Sequence, residues 1–134
     1  MPTQRHSYNF PTKIEYGPGA VKDLVDIVAA EGFKKGLLVA DKGITAAGLS
    51  ESVKSYFQDG GIEMIVFDDV KSNPTDDNCY AGTKAYKEAS CEFIVGLGGG
   101  SPLDVAKTIK VLATHDGPLE QYDDSKGGWE LIVN

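Results

Sequence analysis

Three consecutive glycines and a serine, Gly98, Gly99, Gly100 and Ser101, are the residues of this chain whose types and spacing most directly suggest chemistry. Glycines lack the Cβ atoms that would keep a phosphate away from the backbone. The residues after them are typical of a helix start, where unpaired N–H groups and the positive end of the helix dipole attract anions. A tight turn from strand to helix would need only one glycine. We therefore expect residues 98–101 to bind a phosphate group.

The pattern after the glycines predicts how the helix begins. Ser101 is expected as the N-cap, Pro102 at the first helical position, and Asp104 at the third as the acidic half of a capping box. The segment is not a G-x-G-x-x-G fingerprint, because residue 101 is Ser. Nor is it a Walker A loop, because Lys107 follows the last glycine by seven residues. An ordinary P-loop kinase or GTPase is therefore disfavoured.

Polar residues that follow predicted buried strands are the other candidates. Asp41 ends a strand at the edge where open α/β sheets bind ligands, so its carboxylate could accept the hydroxyls of an adenosine ribose and repel a 2′-phosphate. Capping of the next helix is an equally good interpretation of Asp41. Asp68 and Asp69 end the next strand, where we expect solvated acids. Asn73, held extended by Pro74, could direct its amide into the same crevice, although an Asx turn is the commoner role.

The elements that must position these residues alternate between buried strands and amphipathic helices. This alternation, with short connections, predicts an α/β fold in which a parallel sheet carries helices on both faces. A long loop is expected at 116–128 and the start of a further strand at 130–133. The apolar runs predict strands at 37–40, 64–67 and 93–97, and helical spacing predicts helices at 18–32, at 43–60, from 75 with Thr75 as N-cap, and from 101.

Length and composition fit one domain over residues 1–134 and exclude several classes of protein. The net charge is −7 and the basic residues are scattered, so we expect no nucleic acid partner. No signal-like segment and no apolar run of membrane-spanning length occurs, so we expect no membrane association. Cys79 and Cys91 are expected as reduced thiols of a cytoplasmic protein. His6 and His115 are too few for a three-histidine metal site.

Four segments in order resemble the iron-containing (group III) alcohol dehydrogenases. The resemblance implies that the chain is the family's N-terminal, Rossmann-like domain and that it binds NAD, with the pyrophosphate on residues 98–101 and the adenosine ribose near Asp41. Asn73 and Asp104 would line the same cleft. The segments are GGGSPLDVAK at 98–107, PTKIEYGPGA at 11–20, VADKG at 39–43 and NPT at 73–75.

The resemblance also implies parts that this chain lacks. In that family an all-helical C-terminal domain supplies one aspartate and three histidines to a divalent metal, iron or zinc, and a Thr-rich loop completes the cofactor site. Because the sequence stops within the apolar segment 131–133, we expect a fragment with no catalytic residue of its own and no turnover alone. The parent enzyme would transfer hydride between a small alcohol or aldehyde and nicotinamide, with the metal as Lewis acid.

Two alternatives to this assignment remain at the level of sequence. Glycerol dehydrogenases and dehydroquinate synthases share the architecture and the glycine turn. A non-enzymatic, flavodoxin-like receiver module would account for the strand-end acids Asp41, Asp68 and Asp69, but not for three glycines before a helix. The sequence leaves open which alcohol, which metal and which oligomeric state the protein has, with a homodimer as one alternative.

Overall fold

The computed structural model describes residues 11–132, so His6 and Val133 lie outside the described residues. Short 3-10 helices precede α1 and follow α5, at Ala20–Lys22, Leu119–Tyr122, Asp124–Lys126 and Gly128–Leu131. The main elements in chain order are α1 (Asp23–Ala30), β1 (Lys35–Asp41), α2 (Lys42–Ala46), α3 (Leu49–Asp59), β2 (Glu63–Val70), α4 (Asp76–Glu88), β3 (Phe93–Gly96) and α5 (Gly100–Thr114).

The three strands form one parallel sheet, as the alternation of elements predicts, and their order is β2-β1-β3. Leu38 in the middle of β1 is paired with Val66 of β2 and with Val95 of β3. The parallel ladder extends past β3, because the amide of Leu97 donates to the carbonyl of Val39 at 2.8 Å. All three strands therefore deliver their carboxyl ends to the same edge of the sheet.

Helices cover both faces of the sheet, which confirms the predicted fold class. Because successive side chains of a strand point to opposite faces, Leu37 and Val39 of β1 contribute to one apolar cluster and Leu38 to another. The continuous apolar run that predicts β1 is explained by this burial on both sides. The first cluster includes Cys79 of α4 with Val105, Ile109 and Leu112 of α5, and the second includes Val28 of α1 with Val53 and Phe57 of α3.

The predicted helix at 43–60 is wrong as a single element. It is two helices, α2 and α3, because Gly48 between them has a φ of +79°, a left-handed conformation that interrupts a helix. The amide of Gly48 donates to the carbonyl of Thr45, and the hydroxyls of Thr45 and Ser50 lie 3.0 Å apart across the junction. Helical spacing would place Leu49 on the buried side with Val53 and Phe57, but just after this break it is 48% exposed.

The apolar spacing of the predicted helices places Val21 and Ala81 on their inward faces, but the structure has both on the surface. Val21 is exposed because residues 20–22 form a 3-10 turn and the regular helix α1 begins at Asp23. Ala81 of α4 is also exposed, since Gly82 and Thr83 take the buried face beside Cys79.

The segment after α5 is built from 3-10 turns. The predicted strand at 130–133 is wrong where it is described, because Gly128–Leu131 is a 3-10 helix. The predicted loop at 116–128 is held to the body of the domain, since the amide of Leu119 donates to the hydroxyl of Tyr80 on α4 at 2.9 Å. No helix formed by residues 11–132 is long and apolar enough to span a lipid bilayer.

Candidate functional site

The candidate site lies where β1 and β3 end side by side. The chain runs from β1 to β2 on one side and returns to place β3 on the other side of β1, so the strand order changes direction between β1 and β3. Open α/β sheets bind ligands in the crevice outside the carboxyl ends of the strands at such a switch point. Asp41 at the end of β1 and the glycine turn after β3 border this crevice.

The first glycine of the turn is required by the structure itself. Gly98 has a φ of +131°, which side chains of L residues rarely adopt. A Cβ at this position would lie 3.1 Å from Cγ of Pro102 and 3.3 Å from Cγ1 of Ile44. The approach of Ile44 shows that the turn packs directly against the start of α2.

Gly99 and Gly100 have no such internal reason to be glycine. Neither has a positive φ, and a Cβ added to either would meet no atom of the described residues within 4 Å. The space beside both residues is therefore open, at the N-terminal end of the fifteen-residue helix α5. A phosphate group fits such a position, because bare backbone and the positive end of a helix dipole lie next to unfilled volume.

The helix begins two residues earlier than the sequence predicts. Gly99 is the N-cap of α5, so Ser101, Pro102 and Asp104 are its second, third and fifth residues, and the predicted capping box is wrong. The hydroxyl of Ser101 instead donates to the carbonyl of Ser72 at 3.1 Å, which links the glycine turn to the loop after β2. Pro102 is tolerated because a first-turn N–H has no intrahelical partner. Asp104 is exposed and lies beyond the first turn.

A close contact between α5 and β3 fixes the direction in which the helix leaves the turn. A Cβ at Gly96 would lie 2.9 Å from Cδ2 of Leu103 and 3.2 Å from Cβ of Ala106. Glycine at this position lets the helix pack closely on the end of the strand, so the N-terminus of α5 is held at the crevice.

Asp41 is the N-cap of α2, so the capping interpretation of this residue is confirmed. Its Oδ1 accepts a hydrogen bond from the amide of Ile44 at 2.8 Å, and its side chain is half-buried. The capping bond fixes the carboxylate beside the crevice, because Ile44 also packs against Gly98.

The loop that carries Asn73 is held by a residue that the sequence analysis missed. Asn73 is exposed, whereas Asn78 at the start of α4 is 5% exposed. Oδ1 of Asn78 accepts from the amides of Lys71 and Thr75 at 3.4 and 3.3 Å, and its Nδ2 donates to the carbonyl of Asp69 at 3.0 Å. Thr75 is the N-cap of α4 as predicted, and the spacing Thr75-x-x-Asn78 was the available signal, since it resembles a capping box.

Asp41, the Asn73 loop and the glycine turn are thus brought to one edge of the sheet, while Asp104 stands further along α5. A cleft of about 470 Å³ elsewhere in the domain is lined by Asp76, Thr108 and Val111 among others. Neither Asp41 nor any residue of 98–101 lines this cleft, so it is separate from the switch-point crevice.

The described residues offer no metal centre and no reactive thiol at the crevice. Residues 11–132 contain no group of three or more His, Cys, Asp or Glu side chains placed to hold a metal ion. Cys79 and Cys91 are buried and unpaired with each other, and burial raises the pKa of both thiols. Both are therefore protonated near neutral pH, whereas a nucleophilic cysteine needs a thiolate.

The parallel sheet, its helices on both faces and the glycine turn at the head of α5 define a Rossmann-like α/β domain. The model of the iron-containing alcohol dehydrogenase family matches residues 11–132, and the chain belongs to that family. The resemblance carried by the four sequence segments is confirmed. Because the chain belongs to this family, the alternative hypothesis of a flavodoxin-like receiver module is rejected.

Relatives of the chain include several dehydrogenases. It is 40% identical over 122 residues to choline dehydrogenase from Bacillus subtilis, covering 91% of this chain and 30% of that protein. It is 38% identical over 136 aligned positions to 1,3-propanediol dehydrogenase from Klebsiella pneumoniae, covering 100% of this chain and 34% of that protein. The structure of sulfoacetaldehyde reductase from Bifidobacterium kashiwanohense in complex with NAD+ matches with a TM-score of 0.79 at 28% identity, covering 89% of this chain and 31% of that one.

The chain therefore spans about a third of the length of these relatives. The part that it shares with them is the α/β domain described above.

Proposed function

We propose that this chain is the dinucleotide-binding part of an NAD-dependent alcohol dehydrogenase. The observation that carries the proposal is the open space at Gly99 and Gly100, where neither packing nor backbone conformation within the described residues requires glycine. Room for a ligand explains both residues. When bound, NAD supplies the nicotinamide that accepts or returns a hydride.

The pyrophosphate of NAD would lie at the start of α5. The amides of Gly99, Gly100 and Ser101 are the donors available there, and the dipole of a helix of this length favours the negative charge. The Ser101 hydroxyl has a single proton, which it gives to the carbonyl of Ser72. We therefore assign the phosphate contacts to backbone amides, with the Ser101 side chain fixing the distance between the glycine turn and the Asn73 loop.

The adenosine ribose would lie against Asp41. A carboxylate has two oxygens, so the capping bond to Oδ1 is compatible with a second bond in which a ribose hydroxyl donates to Oδ2. The negative charge would repel the 2′-phosphate of NADP, which favours NAD. Asn73 would approach the cofactor from the neighbouring loop, and Asp104 would line the outer part of the cleft.

The activity of the whole enzyme is hydride transfer between a small alcohol or aldehyde and the nicotinamide, and a glycerol dehydrogenase-like substrate is the alternative. Names of the relatives include both an alcohol-oxidising and an aldehyde-reducing enzyme. Because the described residues offer no cluster for a metal, the iron or zinc of the parent enzyme would be bound by other residues. The buried, free cysteines fit a cytoplasmic location, where thiols stay reduced.

A calorimetric titration with NAD and with ADP-ribose tests the cofactor site. We expect the 134-residue chain to bind both, and Gly99→Val to abolish binding, because the valine side chain would occupy the phosphate position. Ala30→Val is the matched control, since Ala30 is exposed at the end of α1. It precedes the amino end of β1, whereas the site lies at the carboxyl ends of the strands. Equal titration curves for wild type and Gly99→Val, with both proteins folded, would contradict the proposal.

A further inference from the structure

A charged cluster lies beside Asp41 and joins the ends of β1 and β2. Lys42, the first residue of α2, places its Nζ 3.2 Å from Oδ1 of Asp68 and 3.9 Å from Oδ1 of Asp69. Asp68 keeps 29% of its side chain exposed and Asp69 keeps 68%, so both acids contact solvent as expected while they pair with Lys42. The ammonium group is therefore drawn toward the end of β2.

The position of Lys42 matters for the cofactor because it follows Asp41 directly in the chain. A lysine carries a flexible positive charge that binds phosphate readily. Lys42 is the direct neighbour of Asp41, the residue that we assign to the ribose. Three carboxylates, of Asp41, Asp68 and Asp69, and one ammonium leave this corner of the domain with a net negative charge. The same lysine, if released from the two strand-end acids, would lie next to the place where a 2′-phosphate must enter.

We propose that Asp68 and Asp69 determine cofactor selectivity by holding the Lys42 ammonium at the end of β2, away from the 2′ position of the adenosine ribose. Asp41 then bonds to the 2′-hydroxyl of NAD, and no cation lies close enough to bind the 2′-phosphate of NADP. The proposal rests on the NAD site proposed above and adds two residues from the next strand to it. An exposed ion pair is weak, so the expected change in affinity is modest.

The test is a set of four proteins: wild type, Lys42→Gln, Asp68→Asn with Asp69→Asn, and the triple variant. Dissociation constants for NAD and NADP are measured by calorimetry at low ionic strength, where exposed charges are least screened. We expect the double variant to bind NADP about threefold to tenfold more tightly than wild type, with NAD changed by less than about twofold. The triple variant should lose this gain, and Lys42→Gln alone should leave NADP binding unchanged.

An equal gain in the double and triple variants would overturn the proposal, since removal of negative charge alone would then explain it. The absence of any gain in the double variant would also overturn it. Asparagine has the shape of aspartate, and the single Asp69→Asn variant, at an exposed position, gives a second measurement if Asp68→Asn unfolds the domain. Failure of the proposed NAD site is distinguishable, because wild type would then bind neither dinucleotide.

Discussion

Asp41 has two roles, as the cap of α2 and as the proposed ribose contact, and a single substitution can change both. Its carboxylate caps α2 through the amide of Ile44, and it faces the crevice where we place the ribose. Removing the side chain therefore changes both the start of a helix and the charge at the site. The choice of replacement decides which role is measured, because asparagine caps a helix as well as aspartate does and carries no charge.

We expect Asp41→Asn to keep the stability of the domain and to weaken its preference for NAD. Loss of the carboxylate removes an acceptor for the 2′-hydroxyl and the repulsion of a 2′-phosphate, a change worth roughly 1–3 kcal/mol, so relative NADP affinity should rise by about one to two orders of magnitude. Asp41→Gly should do the same at a small further cost in stability. Calorimetry with both dinucleotides checks the ratio, and an unchanged ratio would remove Asp41 from the cofactor site.

The loop between β2 and α4 is an element held by one buried side chain. Asn78 bonds to three backbone groups of residues 69–75, and the same loop receives the hydroxyl of Ser101 through the carbonyl of Ser72. The position of Asn73 relative to the glycine turn therefore depends on a buried residue of α4.

Asn78→Ala should destabilise the domain by about 1–3 kcal/mol, since it removes three hydrogen bonds made by a buried side chain. Asn73→Ala is the control, because Asn73 is exposed in the same loop and its loss should change stability by less than about 0.5 kcal/mol. Urea denaturation measures both, and equal midpoints for the two variants would show that Asn78 does not hold the loop.

The sequence predicts a helix or strand well where buried apolar residues define it. It predicts the ends of a helix less well where one backbone turn sets them. The apolar run of β1 and the buried positions Val53 and Phe57 follow from hydrophobic periodicity. The break at Gly48 depends on a left-handed backbone angle, which glycine permits but does not require. The start of α5 was misplaced because the Ser101 hydroxyl bonds to Ser72, a residue distant in the sequence, instead of capping its own helix.

At the scale of the whole molecule, the two buried thiols make stability depend on pH in the alkaline range. Burial raises the pKa of Cys79 and of Cys91 above the ordinary value of 9.0. From about pH 9 upward the unfolded chain loses thiol protons that the folded chain keeps, so the free energy of unfolding falls as pH rises. Below the ordinary value both states hold the protons, and the thiols add no slope.

We expect the free energy of unfolding to fall more steeply between pH 8 and pH 10 in the wild type than in a Cys79→Ala, Cys91→Ala variant. Denaturation in urea with a reducing agent at both values gives the two slopes. The comparison of slopes removes the contributions of the lysines and of most tyrosines, which both proteins share. Tyr86 differs, because its pKa is raised by burial and in part by Cys91. Parallel slopes would show that the thiols titrate alike in the folded and unfolded chains.

The domain as a whole brings together a switch point, the helix-capping carboxylate of Asp41 and a glycine turn. It does so within about a third of the length of its relatives. The alternation of strands and helices predicts a parallel sheet with a ligand-binding edge, but it does not give the strand order that creates the switch point. Family membership is shown for residues 11–132, whereas the dinucleotide site on this domain is our proposal.

A titration of the isotopically labelled 134-residue chain with ADP-ribose, followed by the chemical shifts of its backbone amides, tests the position of this site. We expect the largest shifts at the amides of Gly99, Gly100 and Ser101, with smaller shifts at Asp41 and its neighbours in α2. Largest shifts at Thr108 and Val111, in the cleft between α4, α5 and the segment after α5, would contradict it.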